Sequence, residues 1–300
     1  MSFFQTIKTI FYSVFMAILL TACGGDISGS GILNLNITDA PVDSAAKVVV
    51  SFDSVSIKPA NGPAYDIKLV DISGNPVVKS IDLLSQQGAN SEPLLVNHVL
   101  AAGHYNWMRL NVIASQTSYD SYIELDGGSQ YPLYVPSGDE TGLKLNQGFN
   151  IADGGATTFT IDFDLRKSVL SPNKNSQAYK LKPTLRIVSN DNVGHISGIV
   201  GPVALSDASC AGRSDYAVYV FAGDNVIPDD VDGIDAEPVT TALLSNSNEY
   251  AVGFLNKGVY TLAFTCQASD DNSEEDDPIN FIVTDVVAVA AGTTTRHDFN

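Results

Sequence analysis

Asp162 and Asp164 are the residues best placed to do chemistry together. They stand two apart in Phe159-Thr160-Ile161-Asp162-Phe163-Asp164-Leu165, whose alternating apolar residues predict a β-strand. At that spacing both carboxylates leave one face of the strand, while Ile161, Phe163 and Leu165 leave the other. Paired carboxylates can hold a hard cation or exchange protons with a substrate. Asp39, in the turn Thr38-Asp39-Ala40-Pro41, is the third acid that could join them, in a calcium site or a metal-dependent hydrolase. The competing reading is a solvated strand face with Arg166 and Lys167 as countercharges, and an Asp39 that only caps its own turn.

A second acidic group, Asp229-Asp230-Val231-Asp232-Gly233-Ile234-Asp235-Ala236-Glu237, offers Asp230, Asp232, Asp235 and Glu237 as calcium ligands. It does not fit the helical calcium loop: with Asp230 and Asp232 at positions 3 and 5, position 1 is Pro228 and position 12 is Val239. The run from Asp270 to Asp277 reads as a solvated loop of like charge. No catalytic constellation stands out in the sequence. His98, His104, His195 and His297 have no zinc spacing, and Gly194-His195-Ile196-Ser197-Gly198 places its serine one position late for a nucleophile elbow. Gly138 to Lys144 lacks the phosphate-loop spacing. No cofactor is required by any motif, and calcium is the one candidate. Tyr119, Tyr122, Tyr131 and Tyr134 fall on adjacent predicted strands and could contact an envelope protein or a glycan; the alternative is that half of them fill the core. The single tryptophan, Trp107, gives a sugar-stacking platform little support.

These residues sit in a chain of 300 residues with 16 basic and 34 acidic side chains, a formal net charge of −18. Nucleic acid is excluded as a partner, because phosphate binding needs a basic footprint. The charge is lopsided: residues 23–190 hold 12 basic and 16 acidic residues, residues 191–300 hold 3 and 18. That asymmetry predicts two domains.

Period-two alternation recurs at Leu33, Leu35 and Ile37; Val48, Val50 and Phe52; Met108, Leu110 and Val112; and Leu181, Leu185 and Ile187. Turn clusters such as Ser73-Gly74-Asn75-Pro76 and Asp153-Gly154-Gly155 separate them. Outside the amino terminus no sustained helical period occurs; one short helix is expected around 82–87 or 92–100. The expected fold is all-β, two tandem Ig-like or prealbumin-like sandwiches at 31–189 and 195–300, joined by a linker at 190–194. The second is built from seven strands, at 196–200, 216–222, 239–244, 250–255, 259–266, 281–289 and 293–299. Both halves contain Leu-x-x-Gly-x-Tyr, as Leu100 to Tyr105 and Leu255 to Tyr260. It resembles the turn into a strand of transthyretin-like and carboxypeptidase-regulatory-like sandwiches, where the tyrosine packs at the sandwich corner.

The amino terminus carries Lys8, an apolar run from Ile10 to Leu20, and Leu20-Thr21-Ala22-Cys23-Gly24. The run is about half the roughly 20 residues a spanning helix needs, so residues 1–22 read as a cleaved signal peptide. Leu-Thr-Ala-Cys resembles the lipobox of bacterial lipoproteins, which implies an acylated Cys23, a short tether over 23–30 and a membrane as partner through the lipid. By the same resemblance, Gly24 implies the outer membrane. Export leaves Cys210 and Cys266 where disulfides persist, and they are expected to pair.

Ala102-Gly103-His104-Tyr105 with Arg109-Leu110, Val135-Pro136-Ser137-Gly138 running to Thr141-Gly142-Leu143-Lys144, Asp162 to Ser168, and Leu181-Lys182-Pro183-Thr184-Leu185-Arg186 occur in order after Thr38-Asp39-Ala40-Pro41. Together they resemble a bacterial domain-of-unknown-function family, number 4382, over about residues 31–189. The resemblance implies a β-sandwich on exported lipoproteins and no reaction. The sequence thus reads as a lipid-anchored envelope protein, not an enzyme, that binds or builds. The rivals are a hydrolase using Asp39, Asp162 and Asp164, and a calcium-stiffened, adhesin-like surface protein.

Overall fold

The computed structural model describes residues 29–40, 45–136, 142–172, 176–182 and 184–300. Cys23, the signal segment and Pro41 lie outside the described residues, as do Gly138, Thr141 and Pro183. The described chain is almost entirely β and forms two sandwiches in tandem.

In the first sandwich, one sheet is ordered Leu185–Ser189, Ala156–Asp164, Ser30–Ala40, Glu92–Ala101. The facing sheet is centred on the long strand Ala45–Pro59 and on Gly103–Val112. The predicted alternation is realised: Leu33, Leu35 and Ile37 are fully buried against Val48, Val50 and Phe52, and Phe52 meets Phe163 edge to face at 6.3 Å. Burying each such side chain contributes about 1.5–3 kcal/mol. In the second sandwich, Glu249–Asn256, Val193–Ile199 and Thr294–Arg296 face Thr240–Leu243, Ala217–Ala222, Gly258–Thr265 and Phe281–Val289. These seven strands fall at the positions expected from the sequence. They enclose Ile196, Val218, Val220, Leu262, Phe264 and Phe299. Cys210 and Cys266 are bonded and pack into this core.

Two sequence expectations need correction. Residues 83–86 form only a single 3-10 turn, and 92–101 is not a helix but an edge strand. Asn97 takes a left-handed backbone (φ 53°) where the pairing with the first strand shifts register, and its N–H is held by Asn34 Oδ1 at 2.8 Å. The bulge turns Leu94, Leu95 and Leu100 inward and leaves Val96 and Val99 exposed, which spoils the period-two pattern. The alternation through Leu181, Leu185 and Ile187 spans two strands, Tyr179–Leu181 and Leu185–Ser189, which belong to different sheets.

The repeated Leu-x-x-Gly-x-Tyr has a shared structural cause. In each sandwich it carries the chain from one sheet to the facing one, from Glu92–Ala101 into Gly103–Val112 and from Glu249–Asn256 into Gly258–Thr265. Each tyrosine then donates its hydroxyl hydrogen bond to a carbonyl four residues upstream: Tyr105 to Ala101 at 2.9 Å and Tyr260 to Asn256 at 2.6 Å. Gly103 has φ +135°, a conformation that a side chain would strain.

Candidate functional site

Asp162 lies on Ala156–Asp164 directly across the sheet from Arg186, and the two side chains pair at 2.6 Å. Asp39 ends the first strand and is buried, as is Asp162. By register Asp39 stands beside Phe163 and Asp162 beside Thr38, so the two acids leave opposite faces of the sheet, and the face of Asp162 is not solvated. Thr240, Thr241 and Ala251 to Gly253 of the second sandwich lie on it, closing a cavity of about 10 Å³ lined by Thr38, Asp39 and Asp162. The backbones abut there: a Cβ on Gly253 would stand 1.7 Å from the carbonyl oxygen of Gly88. Burial pushes the Asp162 carboxyl upward against the opposing pull of Arg186.

Asp164 is also largely buried, and its side chain caps the short helix Leu165–Ser168 by accepting the Lys167 N–H at 3.3 Å. Asp39, Asp162 and Asp164 do not bring three carboxylate oxygens within 4.8 Å of one another, unlike two other acidic groups described below. The space between Asp39 and Asp162 holds about one water, not a substrate.

Lys167 Nζ stands 3.9 Å from Asp164 as a local countercharge, but the strand face is not solvated, and both Arg166 and Lys167 also reach into the second sandwich. Arg166 Nη1 donates to Tyr219 Oη at 2.9 Å and to the Ala268 carbonyl at 2.7 Å, and stands 3.5 Å from Asp271 Oδ2. Arg166, Tyr219 and Asp271 are all buried. Lys167 Nζ pairs with Glu237 Oε2 at 2.5 Å and donates to the Pro238 carbonyl at 3.0 Å. One four-residue helix thus docks two cations onto the neighbouring sandwich.

Burial raises the Asp164 pKa to about 6, with Lys167 and Arg166 pulling it down and Asp162 pushing it up. An acid whose folded pKa exceeds its unfolded value of 3.8 stabilises the fold below about pH 3.8, and that contribution is lost as pH rises through about 6. Asp164→Asn keeps a cap acceptor but cannot ionise. Its melting temperature, relative to the native chain, is therefore expected to rise from pH 4 to pH 7.5, by the equivalent of roughly 2–3 kcal/mol. Thermal melts at both pH values check this, and a constant difference would contradict it.

Of the second acidic group, Asp230 and Asp232 come together with Asp276. Asp235 and Glu237 do not join them. Asp235 is exposed with φ 49°, and Glu237 accepts the Asp232 N–H at 3.2 Å while pairing with Lys167. Burial raises Asp230 to about 6, reinforced by Asp232, Asp271 and Asp229. The residues that sequence reasoning missed are Asp271, Asp276 and Asp277, hidden in a run read as a solvated loop.

Tyr122 and Tyr131 lie on the paired strands Tyr122–Leu125 and Gln130–Tyr134. Tyr131 packs on Tyr179 at 5.7 Å and, with Tyr122 and Tyr134, is only partly exposed, whereas Tyr119 is open at 55%. His297 stands 3.1 Å from Asp285, and His195 Nδ1 accepts the Phe254 N–H at 3.2 Å. A larger cleft of about 620 Å³ also opens between the sandwiches, with Gln87 and Gly88 on one wall and Ser197, Glu249, Tyr250 and Arg296 on the other.

The fold and these contacts define a two-sandwich β-protein whose halves are joined by one buried ion pair, Arg166–Asp271, and one partly exposed pair, Lys167–Glu237. A sequence profile described as Domain of unknown function (DUF4382) matches residues 30–183, and the chain belongs to that family. No curated protein matches the chain. Among solved structures, the Bacillus anthracis TIE protein is 11% identical, with 90% of this chain and 34% of that one covered, at a TM-score of 0.23. A leucine-rich repeat protein from Bacteroides thetaiotaomicron is 12% identical, with 90% and 26% covered, at 0.20. The minor pilin of Streptococcus agalactiae is 9% identical, with 89% and 94% covered, at 0.22. The chain thus spans about a third and a quarter of the first two, and scores of this size carry no inference about role. No described helix is long and apolar enough to cross a membrane.

Proposed function

We propose that the chain is a non-catalytic structural or binding module of the bacterial cell envelope. Residues 1–22 export it, and acylated Cys23 tethers it to a membrane, the outer one in a two-membrane cell. Domains at 31–189 and 195–300 act as one body. The observation that carries this reading is the fate of the carboxylates best suited to catalysis. Asp162 is paired with Arg186 and borders a cavity of only about 10 Å³, too small for a substrate, and Asp164 caps a helix. What supports the anchor is Leu20-Thr21-Ala22-Cys23 after an apolar run too short to span. Tyr119 supplies an exposed aromatic for contact with an envelope protein or glycan.

The test is metabolic labelling with palmitate of the full chain expressed in a two-membrane bacterium, followed by membrane fractionation. The native chain is expected to take up label and pellet with membranes, its mature form starting at Cys23. Cys23→Ala is expected to take up none. An unlabelled native chain would contradict the anchor.

A further inference from the structure

Two loops of the second sandwich face each other, one after the strand Ala217–Ala222 and one before Phe281–Val289, and gather four carboxylates around that of Asp230. Oxygens of Asp230, Asp232 and Asp276 lie within 4.8 Å of one another, as do oxygens of Asp230, Asp271 and Asp277. Oxygen ligands stand about 2.3–2.6 Å from a calcium ion, so two on one ion are at most about 5 Å apart. Both groups meet that limit.

Acidic loops often gather charge without binding anything, and what singles this one out is its centre. Asp230 is 1% exposed. Its Oδ2 accepts the Asp277 N–H, while its Oδ1 is buried with no hydrogen-bond partner. Burying an ionised oxygen without a donor or cation is strongly disfavoured. The other inner acids are provided for. Asp271 receives Tyr219 Oη, the Val231 N–H at 3.1 Å and the charge of Arg166, and Asp277 Oδ2 receives the Asn272 N–H at 2.7 Å. Asp232 is half-buried and Asp276 exposed, so the group containing them opens to solvent and gives an ion a path in.

We propose that Asp230, Asp232 and Asp276 bind a divalent cation of the calcium class, with Asp230 Oδ1 as the buried ligand. The cation supplies the counter-charge that this oxygen lacks. Because Asp271 both borders the site and pairs with Arg166 of the first sandwich, occupancy also stiffens the junction between the sandwiches.

The experiment is a calorimetric titration of the full chain, purified in detergent micelles and stripped with a chelator, with calcium chloride, and thermal melts at each calcium level. One saturable site in the micromolar range is expected, with a melting temperature raised by roughly 5 °C or more at a hundredfold excess over Kd. Asp230→Asn should abolish binding. Asp276→Asn alters an exposed residue, keeps the fold, and should weaken binding at least about tenfold. Asp235→Asn, outside the group, should bind as the native chain does. Absence of saturable binding by the native chain would overturn the proposal, as would native affinity in Asp276→Asn, or loss of binding in Asp235→Asn. None of these readouts involves the lipid anchor, so their failure leaves the envelope reading standing.

Discussion

Arg166→Met is expected to be the most damaging single substitution in the chain, costing about 3–5 kcal/mol. The magnitude follows from what remains behind. Arg166 and Asp271 face each other at 3.5 Å with side chains only 3% and 0% exposed. Removing the guanidinium strands a buried carboxylate and withdraws the donors that Tyr219 Oη and the Ala268 carbonyl accept from. Methionine fills much of the volume, so the loss is electrostatic and not a cavity effect. At roughly 2–4 °C per kcal/mol for a chain of this size, the melting temperature should fall by about 10 °C. Pairing the change with Asp271→Asn should restore most of that, because a buried ion pair replaced on both sides is often close to neutral. Thermal melts of the single and double variants decide it. A single variant within 1–2 °C of the native chain would mean that the pair contributes nothing at this junction.

Loss of the Cys210–Cys266 disulfide should come close behind. The bond closes a loop with a sequence separation of 56, for which the loss of unfolded-state freedom corresponds to roughly 4 kcal/mol. It also ties the segment before Ala217–Ala222 to the end of Gly258–Thr265, which frames both acidic loops. The double variant Cys210→Ala/Cys266→Ala is expected to lower the urea midpoint without altering the Asp162–Arg186 pair of the first sandwich. Denaturation with and without reductant checks this: the native chain should show the shift only with reductant, and the variant should be indifferent to it. A native midpoint unmoved by reductant would show that the bond does not hold the fold.

Much of the fold was legible because one face of a sandwich sheet is buried and the other is not. Leu33, Leu35 and Ile37 announce a strand by their spacing alone, whereas Ala217–Ala222 of the second sandwich is buried on both faces and reads as a short apolar run. The edge strand Glu92–Ala101 escaped because the left-handed Asn97 interrupts its alternation. The disulfide was legible from compartment and count. The junction was not. Alternation assigns Asp162 and Asp164 to the face opposite Phe163, but it cannot say that a second sandwich covers that face. For the same reason Arg166 and Lys167 look like only local countercharges in sequence, whereas Arg166 pairs with Asp271, 105 positions away, and Lys167 pairs with Glu237, 70 positions away, as well as with the nearby Asp164. In the acidic loops composition found Asp230 and Asp232, and only the fold adds Asp276 from a different loop.

The buried Arg166–Asp271 pair, with the partly exposed Lys167–Glu237 pair beside it, is expected to weld the two sandwiches into one body. Differential scanning calorimetry of the full chain in detergent micelles tests it most directly. The expected result is a single cooperative transition with calorimetric and van't Hoff enthalpies in agreement, resolving into two in Arg166→Met. Two well-separated transitions in the native chain would contradict it, because the sandwiches would then melt independently and the junction would be a contact without consequence.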